Sequence, residues 1–409
     1  MNEFVELLRR QLAADLRSLP ALTRSRVSGE TRLARCRNVA DLRDLARRRI
    51  PRPVFDFVDG AAADEVTARN NQEDFGRIAL RPKVLAGLSG VDLGTTVLGE
   101  RVAVPLLAAP TGLTGLVHHR GEVGIARAVH EAGSVYVHSA MASYSIEELA
   151  AAAPGKTWFQ LYVWRDRGFV RELVERARAA GHRAVVLTAD TARLGPRERD
   201  LRNGFGIPPR ITLRSLGEGL RRPRWSTDFI RRPRLKVGNA VERGSADASS
   251  LVAYITSQFD PALAWTELTW LRELWDGPVV VKGVLRADDA RRAVELGADA
   301  VIVSNHGGRQ LDHSLSAVAA LPAIVDAVGA DAEVYLDGGV RRGSDVVKAL
   351  ALGARACLSG RALVYGLAAG GDAGAARAMA LLTDELRLTL ALLGCPSVAE
   401  LGRDSLALD

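Results

Sequence analysis

From about residue 103 onward, short apolar runs alternate with stretches of helical period. The runs are Val102–Ala109, Ser134–Ser139, Thr157–Tyr162, Ala184–Ala189, Pro278–Lys282, Ala300–Ser304, Glu333–Leu336 and Ala356–Leu358. Between most of them lie amphipathic stretches such as Gly121–Ala132, Arg167–Ala180, Ala287–Leu296 and Gly343–Leu352. A short apolar run followed by 3.6-residue periodicity reads as a strand and its crossover helix. Eight such units in succession predict an α/β fold, a (β/α)₈ barrel. A doubly wound sheet is the alternative, but no Gly-x-Gly-x-x-Gly follows an early strand to support it.

The spacing has one large exception. The interval from Asp190 to Pro278 far exceeds a βα unit, and its middle is rich in Arg, Pro, Gly and Ser. An insertion of about residues 200–262 after strand four is expected on the face where βα loops emerge. Residues 1–50 read as an Arg-rich helical extension and 51–409 as the barrel. Residues 371–409 are expected to form C-terminal helices packed on it.

Composition narrows the class. A chain of 409 residues with 47% hydrophobic content can bury one large barrel. No run approaches the roughly 18 apolar residues that span a bilayer, and the polar, Arg-rich start carries no apolar signal segment. Cys36, Cys357 and Cys395 are few and scattered, which favours a reducing cytoplasm and argues against disulfides or a zinc site; no metal is expected. Ten basic residues face only Glu218, Asp228 and Glu242 between Arg210 and Arg243, and this segment carries the whole net charge of +7. A charge confined to one insertion argues against a nucleic-acid partner for the molecule as a whole.

In such barrels the chemistry sits at the C-terminal strand ends. Those ends read Thr111 with Gly112, Ser139, Gln160 with Tyr162, Thr188 with Asp190, Lys282, Ser304 with His306, Asp337 with Gly338, and Gly360 with Arg361. Burying so many polar groups without partners would be costly, so together they predict a ligand site. Ser304-Asn305-His306-Gly307-Gly308-Arg309-Gln310-Leu311-Asp312 follows a buried strand and delivers a base and a guanidinium that can clamp a carboxylate. Asp337-Gly338-Gly339-Val340-Arg341 and Ser359-Gly360-Arg361 have the composition of a phosphate cradle after strands seven and eight. Lys282 can face an anionic cofactor ring or pair structurally with a strand-end carboxylate.

These motifs resemble the FMN-dependent 2-hydroxy acid dehydrogenases and oxidases. The resemblance runs in order from about Val39 to Leu406. It includes Phe159-Gln160-Leu161-Tyr162, Leu187-Thr188-Ala189-Asp190-Thr191, Val281-Lys282-Gly283 and the stretch from Leu336 to Gly343. It implies FMN as cofactor, and His306 as the base with Asp190 stabilising its imidazolium. Arg309 and Arg197 would grip the carboxylate, with Tyr162 near the hydroxyl and Lys282 beside flavin N1 and O2. Ser139, Gln160 and Thr188 would hold the isoalloxazine, near Thr111, Gly112 and Ser304. Asp337, Gly338, Gly339, Arg341, Gly360 and Arg361 would hold the ribityl chain and phosphate. The resemblance further implies a homo-oligomer, a tetramer.

The pattern departs in three places. Phe57 stands where the family usually has a substrate-binding Tyr, and Met141 where glycolate oxidases carry Trp. Gly112 stands where oxidases tend to have Ala beside flavin N5. The expected reaction is oxidation of an (S)-2-hydroxy acid, lactate-like or bulkier and aromatic, with electrons passed to a quinone or another acceptor. A peroxide-forming oxidase or a tailoring flavoenzyme is the alternative, and a non-catalytic flavin binder a remote one. In the insertion, arginines flank Trp225, Phe229 and Ile230, a composition suited either to an anionic membrane surface met by residues 210–243 or to a solvated lid over the site.

Overall fold

Pro105 decides where the barrel begins. The expected first strand, Val102–Ala109, is two elements: Thr95–Val97 and Glu100–Val102 pair as an antiparallel hairpin, and the barrel strand starts only at Leu106. Proline has no N–H to give a parallel ladder, so it separates the two. The computed structural model describes residues 29–204, 213–240 and 257–407. The first 28 residues of the expected extension, and 205–212 and 241–256 of the insertion, lie outside them. The chain divides into a unit ending at Arg37, in which Gly29–Arg35 is helical, and a unit that begins at Asn38.

The second unit is the (β/α)₈ barrel. Its strands are β1 Leu106–Ala108, β2 Tyr136–Ser139, β3 Thr157–Leu161, β4 Val185–Thr188, β5 Val279–Val284, β6 Ala300–Val303, β7 Glu333–Asp337 and β8 Ala356–Ser359. Each pairs in parallel with the next, and β8 closes on β1. The outer helices are α1 Gly121–Glu131, α2 Ile146–Ala152, α3 Arg167–Ala179, α4 Thr266–Leu274, α5 Ala287–Glu295, α6 Ala317–Val328, α7 Gly343–Ala351 and α8 Arg361–Leu393. Local chemistry starts several of them: Asp166 caps α3, Ser316 caps α6, and Ser145 with Glu148 forms a capping box on α2.

Strand alternation places the site. Leu107, Val137, Trp158, Val186, Val280, Ile302, Tyr335 and Leu358 form one buried cluster inside the barrel. Two residues further along their strands, the same face carries Ser139, Gln160, Thr188, Lys282, Ser304 and Asp337. The apolar layer is therefore the floor of a polar layer. The hairpin closes the other end: Val97 and Val102 join the cluster, and the Glu333 carboxylate accepts Leu98 N at 3.2 Å.

The C-terminal segment differs from the helices expected there. Helix α8 starts earlier, at Arg361, and is broken by non-helical Gly370 and Gly371. Its end is followed by short 3₁₀ turns and by Leu406–Ala407, which pairs antiparallel with Ala79–Leu80. Small glycines without Cβ leave the helix free to bend at that point, and an extended tail finds a ready partner in a short edge strand.

Candidate active site

Three neighbouring strands contribute one hydrogen-bonded chain at the barrel mouth. Ser139 Oγ donates to Gln160 Oε1 at 2.8 Å, and Gln160 Nε2 donates to Thr188 Oγ1 at 2.9 Å. On the opposite wall, Lys282 Nζ lies 2.8 Å from Asp337 Oδ2 and donates to Ser304 Oγ at 2.9 Å. Ser304 Oγ donates in turn to Asp337 Oδ2 at 2.9 Å and accepts His306 N at 3.1 Å. Lys282 thus has the strand-end carboxylate partner that was one of its two readings.

His306 sits in the left-handed region, with φ of 57°, which turns its ring away from β6. Its Nδ1 is 3.0 Å from Asp190 Oδ1. Burial holds the imidazole below its ordinary pKa, partly offset by the Asp190 carboxylate. Burial would push the Asp190 carboxyl up, but His306 and then Lys282 keep it below the usual range. The pair is therefore neutral imidazole and carboxylate near pH 7, the state a general base needs. Room for Asp190 comes from β5: its register slips between Lys282 and Val284, and a β-carbon on Gly283 (φ 105°) would lie 2.7 Å from Asp190 Cβ. Only glycine fits this bulge.

A cavity of about 330 Å³ opens above the polar layer. Phe57, Thr111, Gly112, Ser139, Met141, Gln160, Tyr162, Thr188, Arg197, Lys282, His306, Arg309, Asp337, Gly338, Gly339, Arg341, Gly360 and Arg361 all line it. Two expected site residues do not: Asp190 and Ser304 line a second cavity behind them. Both point their polar atoms at a neighbour in the first wall, so Ser304 acts through Lys282, Asp337 and His306 rather than by facing the cavity itself.

The arginines differ in their engagement. Arg309 Nη1 donates to Phe57 O at 2.8 Å and Gly60 O at 2.9 Å, with its guanidinium 5.4 Å from the Phe57 ring. Arg361 gives all its nitrogens to backbone carbonyls: Nε to Val58, Nη1 to Gly307 and Nη2 to Gly60. It ties the His306 loop to the helix Arg52–Asp59. Arg197 Nε is buried and has no hydrogen-bond partner among the described residues. Arg341 Nη1 donates to Val340 O. Gly339 also has a packing reason to be glycine: at φ 85°, a β-carbon there would be 1.9 Å from Asn71 O.

Several contributors carried no sequence signal. Leu194, Val237 and Phe259 complete an apolar wall with Phe57 and Met141, and Phe259 meets Tyr162 edge-on at 5.6 Å. Burial pushes the Tyr162 phenol up to about 12, so it stays neutral. Gln310 Nε2 donates to Asp190 O and Arg193 O at 2.6 and 2.9 Å, locking the two loops that bear His306 and Asp190. Gln310 lay within a motif that drew attention, whereas Val237 and Phe259 sit in the irregular insertion, where no periodicity marks an inward face. The insertion's aromatics also turn inward: Trp225 stacks on Phe229 at 4.9 Å and donates Nε1 to Leu116 O at 3.0 Å. Asp228 accepts His119 N at 3.1 Å.

Comparison with known proteins identifies the lineage of this barrel. The chain belongs to the FMN-dependent dehydrogenase family, whose profile it matches over residues 46–408. An L-lactate dehydrogenase of Stenotrophomonas maltophilia is 45% identical over 370 residues, 90% of this chain and 97% of that protein. Glycolate oxidase 3 of Oryza sativa is 40% identical, covering 91% and 96% respectively. The solved structure of (S)-mandelate dehydrogenase, described as a monotopic membrane protein, superposes with a TM-score of 0.89 at 42% identity, covering 92% of this chain and 100% of that one. The protein is an FMN-dependent oxidoreductase of the 2-hydroxy acid dehydrogenase and oxidase class.

The residues fit that cofactor. Ser359 Oγ and Arg197 Nε are buried polar atoms in the cavity wall without a partner among the described residues. Lys282 and the Ser139–Gln160–Thr188 chain present donors and acceptors for a heteroaromatic edge, and Arg341 and Arg361 line the same cavity for an anionic tail. No described helix is long and apolar enough to cross a membrane.

Proposed function

We propose that this enzyme oxidises an (S)-2-hydroxy acid with an apolar, aryl-sized side chain to the 2-oxo acid and passes the electrons to a quinone. The observation that carries the reading is one cavity holding the Asp190-backed His306, two guanidinium-bearing walls and a large apolar wall. Arg197 and Arg309 hold the substrate carboxylate, which presents the α-carbon and hydroxyl to His306. Tyr162, neutral, donates toward the hydroxyl oxygen. His306 Nε2 takes the hydroxyl proton, and Asp190 stabilises the imidazolium so formed. Lys282, Gln160, Thr188, Ser139, Asp337 and Arg341 would hold FMN, which when bound would supply the acceptor for the α-hydrogen and its electron pair. Phe57, Met141, Leu194, Val237 and Phe259 exclude water and fit an apolar group on the α-carbon.

Anaerobic bleaching of the FMN-loaded enzyme with glycolate, lactate, mandelate and longer aliphatic 2-hydroxy acids tests this. Mandelate or a long aliphatic acid is expected to give the highest kcat/KM, with glycolate lower by about 10–200-fold, the usual effect of leaving an apolar pocket unfilled. Fastest bleaching by glycolate defeats the substrate reading. Gly112 supports a dehydrogenase over an oxidase, so reoxidation by air is expected to be slow against a soluble quinone.

The acceptor reading is supported by the insertion's outer face. Leu220 and Ile230 are 75% and 76% exposed, on the helices Leu213–Leu220 and Pro223–Arg231, with exposed Arg224 and Arg231 on the second helix and exposed Arg221 in the turn between them. Arginines around apolar side chains suit an anionic membrane surface, where quinones reside. Co-sedimentation with phosphatidylserine-containing vesicles is expected at low salt and is weakened at high salt. Absence of binding at low salt removes the membrane contact.

A further inference from the structure

A second cavity, of about 370 Å³, lies behind the His306 loop. Loops after β4, β5 and β6 build it, with Asp190, Gly283, Leu285, Asn305 and Leu311 in its walls. Leu194 alone among the described residues lines both cavities. Asp190 bridges them chemically. Its Oδ1 faces His306 Nδ1 at 3.0 Å, while its Oδ2 is buried with no hydrogen-bond partner among the described residues. Oδ2 lies 2.9 Å from a β-carbon built on Gly283, itself a wall of the rear cavity. A carboxylate oxygen without a donor is costly to bury, and a cavity of this size that also exposes Arg193, Asn305 and Ser314 in its walls has room and partners for water.

We propose that the rear cavity is a hydrated outlet through which the His306–Asp190 pair returns its proton to solvent while cofactor and product fill the front cavity. The inference rests on His306 being the base. The substrate hydroxyl proton arrives at Nε2 and makes an imidazolium. Its Nδ1 proton then moves along the hydrogen bond to the Asp190 carboxylate, and the carboxylic acid so formed rotates about Cβ–Cγ and gives that proton to a cavity water, which restores the carboxylate. The net change is imidazolium to imidazole and water to hydronium, with no oxidation or reduction. The His306 imidazolium and Lys282 on β5 place positive charge beside the carboxylate, and Arg193 stands in the rear wall. That charge keeps Asp190 ionised between turnovers and speeds departure of the proton.

The test narrows the rear cavity without touching the front one. Leu285→Trp and Leu311→Trp each place bulk in the rear wall, and Leu311 is 75% exposed, so its replacement is compatible with folding. FMN-loaded enzyme is mixed anaerobically with the best-bleaching acid in weak buffer containing a pH-indicator dye. In the unaltered enzyme the bulk proton appears together with bleaching. In the variants bleaching keeps its rate while the proton trails it by about tenfold. A second readout uses FMN-free, ¹⁵N-histidine-labelled protein: exchange of the His306 Nδ1 proton with water slows in both variants. Coincident bleaching and proton release in both folded variants, with unchanged Nδ1 exchange, overturns the outlet. Failure of every hydroxy acid to bleach the unaltered enzyme is a different result, which overturns the base assignment and the outlet with it.

Discussion

Replacing His306 by Gln lowers the rate of FMN bleaching by the acid by roughly 10²–10⁴-fold, the span a positioned general base contributes. Cofactor content and the visible spectrum are expected to persist, because the side chain's described hydrogen bond runs to Asp190 and only the His306 backbone N–H joins the Ser304–Lys282–Asp337 cluster. A variant within tenfold of the parent would refute the assignment. The pH dependence follows from the lowered pKa. Neutral imidazole is the active form, so kcat/KM stays level as pH falls toward 6.5 and drops only below the ordinary histidine pKa. Asp190→Asn removes the carboxylate that raises His306 and shifts that acid limb further down in pH while slowing turnover. An acid limb above pH 7 in the unaltered enzyme contradicts the burial argument.

Arg197→Met is expected to cut kcat/KM by about 10²–10³-fold, the usual cost of deleting one partner from a desolvated, hydrogen-bonded charge pair. Because Arg197 Nε has no partner among the described residues, thermal stability should hardly change. Arg309→Met offers the contrast. Its guanidinium also donates to the Phe57 carbonyl and shares the Gly60 carbonyl with Arg361, and losing hydrogen bonds to a charged group costs about 1.5–3 kcal/mol, so this variant loses both activity and melting temperature. Circular dichroism melts alongside steady-state kinetics separate the two. Equal stability losses at both positions would show that Arg197 is structural.

The barrel was legible because eight strands each repeat one physical pattern, and period-two alternation carries the inner face straight from Val280 to Lys282 or from Trp158 to Gln160. Polar residues at the ends of apolar strands were conspicuous for the same reason. What alternation does not encode is direction after a strand ends. Ser304 and Asp190 were expected in the cavity wall, yet the Gly283 bulge and the left-handed His306 direct them behind it. Contacts across long separations were equally silent. Asn71 Nδ2 donates to Asn305 Oδ1 at 2.8 Å across 234 positions, and Tyr365 OH donates to Asp59 Oδ1 at 2.6 Å across 306. The insertion was legible only as two alternatives, a membrane surface or a lid, because composition does not say where its aromatics turn; a mutual stack and one indole hydrogen bond hold Trp225 and Phe229 against the β1 loop.

The stopper made by Val97, Leu98 and Val102 under the strands has a topological corollary. Among the described residues it leaves the floor of the cylinder without a passage, so whatever enters the cavity does so past the loops that carry His306 and Arg309.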